Sequence, residues 1–115
     1  MNYLLGVDVG TTSLKAVLFD EALHPVKTVV KDYTLKVTGD FVEFPAEQYW
    51  GLFSEALIEM AEEYKITAMS IDTQCETMIV TDAEGRALTD AIVWLDNRAV
   101  RQAGILEEQF GARKV

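Results

Sequence analysis

Six consecutive residues, Asp8-Val9-Gly10-Thr11-Thr12-Ser13, followed by Leu14 and Lys15, bring a carboxylate, a glycine, three hydroxyls and a cation together. Residues of these kinds suit an anionic ligand that arrives with a divalent cation. A carboxylate offers a hard oxygen to Mg²⁺, directly or through water. Successive backbone N–H groups from Gly10 to Ser13, helped by the hydroxyls of Thr11, Thr12 and Ser13, can form a concave nest for phosphate oxygens. Lys15 adds a point charge. A plain surface turn would use the glycine and threonines, but it requires neither the aspartate nor so dense a run of hydroxyls.

Two apolar runs must position this stretch, residues 3–5 before it and residues 16–19 after it. They predict a hairpin of two paired strands, with Gly10 permitting the tight reversal. The first strand, residues 3–9, is nearly all apolar, as expected of a central strand covered on both faces. The second spans residues 14–19. Residues 20–25 form a turn in which His24 is solvated, and a more polar third strand runs from residue 26 to about 35. Lys27, Lys31 and Lys36 mark that strand as an edge.

Residues 38–45 read as a connection, with Pro45 as the first residue of a helix that continues to about Tyr64. Tyr49, Trp50, Phe53, Ala56, Leu57 and Met60 recur at three- and four-residue spacing and give it a broad stripe for packing on a sheet. A fourth strand over residues 65–72 ends at Asp72, parallel to the first through a right-handed crossover. Further strands at residues 77–81 and 91–95 flank a reversal at Gly85. Asp96 or Asn97 caps a last helix that runs to about Phe110, presents Val100, Ala103, Leu106 and Phe110 on one face, and stops at Gly111. Three antiparallel strands, a helix and a strand parallel to the first make an α/β chain of ribonuclease H-like plan, a mixed sheet with flanking helices.

At 115 residues the chain is one domain, able to bury roughly two thirds of the surface its unfolded form exposes. Half of its residues are hydrophobic and 25% are charged, which excludes a disordered chain. No apolar run suffices to cross a bilayer and the amino end lacks the pattern of a secretion signal, so no membrane partner is expected and the compartment is cytoplasmic. Cys75 is the single cysteine, which leaves no intrachain disulfide and no multi-cysteine zinc site. A formal charge of −9 argues against nucleic acid as partner, whereas a nucleotide carried with Mg²⁺ tolerates an acidic protein.

Three stretches together carry a family resemblance. The Asp8 to Lys15 hairpin resembles the first phosphate motif of the actin-like ATPase superfamily. Ser70-Ile71-Asp72-Thr73-Gln74-Cys75-Glu76-Thr77 and Ala91-Ile92-Val93-Trp94-Leu95-Asp96-Asn97-Arg98 fall where the FGGY carbohydrate kinases carry their characteristic segments. The whole chain resembles the amino-terminal part of such a kinase, the group that includes glycerol kinase and xylulokinase. That resemblance implies transfer of a phosphoryl group from ATP, with Mg²⁺, to a hydroxyl of a sugar or polyol. It places Asp8 at the magnesium, Gly10, Thr11, Thr12, Ser13 and Lys15 at the nucleotide phosphates, and Gln74, Cys75 and Glu76 at the polyol cleft. A carboxylate beside an amide is a sound way to read adjacent hydroxyls. The glycerol kinase branch resembles this loop in Gln-x-Glu-Thr but carries arginine where Cys75 stands, so a different or bulkier acceptor is implied. Cys75 is otherwise a passive pocket or core residue. Asp96 and Arg98 either face the substrate entrance or act as a cap and ion pair that position the last helix, with structure slightly favoured.

The resemblance also implies a chain several times longer, built from two similar lobes. The general base that takes the proton of the acceptor hydroxyl is expected beyond residue 115, and the rest of the kinase chain is an expected partner. Residues 1–115 alone are expected to be catalytically silent. The end at residues 111–115 looks abrupt, and surface uncovered by the missing lobe makes a homodimer an expectation to test. Two other readings are a non-catalytic binding or assembly module, and a ribonuclease H-like nuclease using Asp8 with Asp72 or Glu76 as paired metal carboxylates.

Overall fold

A computed structural model describes residues 1–112, so that Arg113, Lys114 and Val115 of the abrupt end lie outside the described residues. In chain order the elements are β1 (Tyr3–Val9), β2 (Ser13–Phe19), β3 (Pro25–Asp32), β4 (Lys36–Thr38), β5 (Phe41–Phe44), α1 (Ala46–Ala61), β6 (Ile66–Thr73), β7 (Ala91–Ile92) and α2 (Val100–Phe110). The main sheet has the order β3-β2-β1-β6, with β1 antiparallel to β2 and parallel to β6. This is the plan read from the sequence. β3 is an edge as Lys27 and Lys31 indicate, although it ends at Asp32 and Lys36 falls in β4; Lys31 also reaches Glu59 of α1 at 3.2 Å, and Lys27 lies 3.7 Å from Glu63, just past that helix.

Strand alternation decides which side chains reach the core. Leu5 and Val7 of β1 and Leu14, Ala16 and Leu18 of β2 are buried together with Ala56 and Met60 of α1. Burial of this apolar surface is the main stabilising term for the unit. The intervening residues, Gly6 and Asp8 of β1 and Lys15 and Val17 of β2, line a hollow on the opposite face. The expectation of a first strand covered on both faces therefore does not hold among the described residues. Asp8 is exposed because α1 lies on the other side.

Residues 38–45 are not a plain connection. Lys36–Thr38 and Phe41–Phe44 form a hairpin in which Thr38 pairs with Phe41 across Gly39 and Asp40, and Gly39 takes a φ of +59° that a tight two-residue turn demands. β7 pairs with β5, completing a second sheet of order β4-β5-β7. The strands expected at residues 77–81 and 91–95 shrink to β7 and to single bridges, Met78 with Ile92 and Thr81 with Ala87. Gly85 does serve the reversal between them, at a φ of +81°. A second core of Val42, Phe44 and Val93 meets the first through Tyr33, which packs against both.

The helices depart from expectation in detail. Pro45 is the N-cap of α1 rather than its first residue, so the helix starts one position later than predicted, and it ends at Ala61 short of Tyr64. Trp50 is not on the buried stripe but 67% exposed. The residue before α2 is Ala99, and no side chain caps the helix, so neither Asp96 nor Asn97 plays that part. Gly111 ends it as expected, yet none of its residues is buried, the face of Val100, Leu106 and Phe110 included. An 18.1 Å radius of gyration, against roughly 13 Å for a compact chain of this length, reflects the uncovered helix.

Candidate functional site

The turn between β1 and β2 is narrower than a loop of four donors. Gly10 N–H donates to the Ser13 carbonyl at 2.9 Å, so Gly10 and Ser13 face each other and Thr11 and Thr12 form the tip. This consumes the Gly10 donor that the sequence assigned to a phosphate nest. Gly10 is needed for close approach, since a Cβ there would lie 3.0 Å from the Ser13 carbonyl oxygen. Among the described residues no hydrogen bond uses the N–H of Thr11 or Thr12, and both remain at the tip as donors.

Tyr33 holds the turn from beneath. Its N–H donates to the Thr12 carbonyl at 3.0 Å, and its hydroxyl donates to the Gly10 carbonyl with the Ser13 carbonyl 3.3 Å away. Burial, then the neighbouring Tyr49 and the Asp8 carboxylate, push the Tyr33 phenol up to about 12. Sequence reasoning missed this residue. Its one signal was an aromatic ring at the end of an otherwise polar edge strand.

Asp8 is one residue from the end of β1, with Asp72 of β6 as its register partner on one side and Lys15 of β2 on the other. The three line an open hollow of ≈ 310 Å³ with Gly6, Ser70 and Phe19. No ion pair among the described residues engages Asp8, Asp72 or Lys15. One or two carboxylates completed by water and phosphate oxygens is the ordinary setting for Mg²⁺, so the donor set fits that ion. The described residues contain no cluster of three or more His, Cys, Asp or Glu able to cage a metal by themselves.

The loop after β6 lies directly against the end of β1, because Gln74 N–H donates to the Val9 carbonyl at 2.9 Å. The Gln74 amide donates to the Tyr49 hydroxyl at 3.2 Å, and its Oε1 is buried without a partner. Gln74, Tyr49, Trp50, Phe53 and Thr77 belong to the wall of an apolar cavity of ≈ 410 Å³ on the α1 side. Burial raises the Tyr49 phenol, and the Gln74 bond opposes that rise. Cys75 is exposed and so is no core residue. Glu76 is exposed in the left-handed region at φ 65°, a conformation uncommon for a residue with a Cβ. The structure thus brings Asp8, Thr11, Thr12 and Gln74 to one end of the sheet and leaves the side chains of Cys75 and Glu76 on its outer rim.

Asp96 and Arg98 are committed elsewhere. The Asp96 side chain is 3% exposed and accepts from the Arg98 guanidinium at 2.8 and 2.7 Å, from Arg98 N–H at 3.0 Å and from Val42 N–H at 2.7 Å. Arg98 also donates to Glu43 at 2.7 Å and stacks 4.4 Å from the Phe41 ring centre. The guanidinium holds the Asp96 carboxyl well below the usual carboxylate range, and Asp96 and Glu43 raise Arg98 in turn. This clamp fixes the segment after β7 to the β4–β5 hairpin. Within that segment Trp94 donates its indole N–H to the Thr11 hydroxyl at 2.9 Å.

Residues 3–115 match the model of the FGGY family of carbohydrate kinases, N-terminal domain. A glycerol kinase of Natranaerobius thermophilus is 36% identical over 94% of the chain and 23% of its own length. A ligand-bound xylulose kinase from Lactobacillus acidophilus superposes with a TM-score of 0.92 at 27% identity, covering 99% of this chain and 24% of that one. A Plasmodium falciparum glycerol kinase with ADP superposes at 0.83 and 25% identity, covering 99% of this chain and 24% of that one. The chain therefore spans about a quarter of the length of these relatives, and its two-sheet α/β architecture is the actin-like ATPase fold of their amino-terminal region. The chain belongs to the FGGY family of carbohydrate kinases.

Proposed function

We propose that these residues form one wall of the cleft of an ATP-dependent sugar or polyol kinase, part of its first lobe. The observation that carries the reading is the Gln74 N–H bond to the Val9 carbonyl, which sets the loop read as polyol-binding against the strand end that bears Asp8 and the hairpin. Asp8, with Asp72 beside it, would hold Mg²⁺, whose chemistry is to offset phosphate charge during phosphoryl transfer. The free N–H groups of Thr11 and Thr12, with the Thr11, Thr12 and Ser13 hydroxyls, would bind phosphate oxygens, and Lys15 would supply positive charge on the same face as Asp8. Gln74 and Glu76 would meet the acceptor. The ADP that accompanies the related Plasmodium falciparum glycerol kinase supports the nucleotide assignment.

Cys75 on the rim favours an acceptor that does not need a multi-donor cation there. Asp96 and Arg98 act as the clamp that holds this wall in shape rather than as polyol ligands. A cytoplasmic setting fits the unpaired Cys75, and no described helix is long and apolar enough to cross a membrane. The adjacency of Asp8 and Asp72 also suits a metal-dependent nuclease. Cleavage of DNA with Mn²⁺ is the assay for it, and none is expected.

The proton-accepting base and the opposite wall would come from the rest of the kinase. Incubation of these residues with ATP, Mg²⁺ and a polyol panel should release no ADP above blank, while a chain extended to the full length of its relatives should phosphorylate one member of the panel. Replacing Cys75→Arg in the extended chain should change the preference among polyols. Turnover by the short chain, or an extended chain without turnover on any polyol, contradicts the reading. The uncovered α2 face and the free edge of β6 favour self-association of the short chain. A monomer at high concentration in sedimentation excludes it.

A further inference from the structure

Trp94 touches both halves of the proposed cleft. Its indole N–H donates to the Thr11 hydroxyl at 2.9 Å, and its backbone N–H donates to the Thr77 hydroxyl at 3.3 Å. Thr11 is at the tip of the phosphate hairpin, and Thr77 closes the loop that begins at Gln74. The residue itself is 50% exposed, yet it stands on a fixed base. Val93 is 1% exposed with its N–H on the Val42 carbonyl at 3.0 Å, and the Asp96–Arg98 clamp follows two residues later. A half-exposed tryptophan placed on so rigid a base, with both N–H groups committed, is not explained by core packing.

A threonine hydroxyl has one proton and two lone pairs. With the indole N–H occupying a lone pair, the proton of Thr11 must point away from Trp94, and among the described residues it has no acceptor. We propose that Trp94 is a positioning residue for the phosphate hairpin: it orients the Thr11 hydroxyl as a donor toward phosphate oxygen and, through Thr77, ties that orientation to the loop at residues 74–77. This rests on the reading of the hairpin as a phosphate site. Pre-orienting a donor removes the cost of ordering it when the anion arrives. A ligand on either loop therefore acts on the same tryptophan, which links the two sides of the cleft by contact.

The chain has two tryptophans, so Trp50→Phe leaves Trp94 as the sole indole. In that background the Trp94 indole proton is followed by NMR. Thr11→Val should move its resonance and speed its exchange with water; a resonance unmoved by Thr11→Val overturns the contact and the proposal with it. Binding of Mg²⁺ tripolyphosphate is then measured by ³¹P NMR. Trp94→Phe should weaken it about fivefold when Thr11 is present and leave it unchanged in Thr11→Val, the non-additivity expected of a residue that acts through another. Equal weakening in both backgrounds overturns the positioning role while the phosphate site stands. Absence of any binding to the parent chain overturns the phosphate reading and the role built on it, even where the indole resonance confirms the contact.

Discussion

Asp8 and Asp72 are register partners on adjacent parallel strands, two carboxylates side by side with no cation bonded to either among the described residues. Like charges in that position repel, and a cation bound between them relieves the repulsion. Asp72→Asn should therefore raise the melting temperature of the metal-free chain by roughly 2 °C. The same substitution should increase the Mg²⁺ concentration needed for half-saturation several-fold. A drop in melting temperature, or an unchanged Mg²⁺ midpoint, would show that Asp72 does not share the ion.

Tyr33 secures the hairpin through its hydroxyl, so Tyr33→Phe should cost about 1 kcal/mol in denaturant unfolding. The phenol is raised to about 12 in the folded chain from an ordinary value of 10.0. Its contribution is accordingly complete below pH 10 and disappears as pH rises from there to about 12. Alkaline melting curves should show this loss in the parent chain and a shallower one in Tyr33→Phe. Identical curves would mean that the hydroxyl does not hold the turn.

The Asp96 carboxyl is held below its ordinary value of 3.8, first by the Arg98 side chain and then by the N–H groups of Arg98 and Val42. A depressed carboxyl stabilises the fold above that ordinary value and loses its effect as pH falls below it. The parent chain should thus lose melting temperature steadily in acid below about pH 4, and Asp96→Asn should flatten that slope while lowering stability near neutrality. Arg98→Gln should be at least as harmful, since it strands a carboxylate whose side chain is 3% exposed. Retention of the full acid slope in Asp96→Asn would assign it to another group.

The main sheet was legible because its signals are long and periodic. Residues 3–9, 13–19 and 66–73 form strands of seven or eight residues in which apolar side chains recur, and the helix before the last of them shows a helical stripe. The β4–β5 hairpin escaped notice because its strands have three and four residues, although Gly39-Asp40 is a sound turn signal. Asp96 reads as a helix cap in one dimension. Only the fold shows that Val42 and Arg98, 54 and two residues away, take its lone pairs. At the site the Asp8 and Gln74 segments were visible as motifs. Tyr33 and Trp94 were not assigned because their partners, Gly10 and Thr11, are 23 and 83 residues distant in sequence.

Whether the hairpin grips a metal nucleotide is decided most directly by adding Mn²⁺ with ATP to isotopically labelled chain and mapping which backbone amides broaden. Paramagnetic broadening concentrated at residues 8–13 and 72–74, and abolished by Asp8→Asn, is the expected result. Broadening that centres on the exposed glutamates of α1, or that survives Asp8→Asn unchanged, would contradict the assignment of this site.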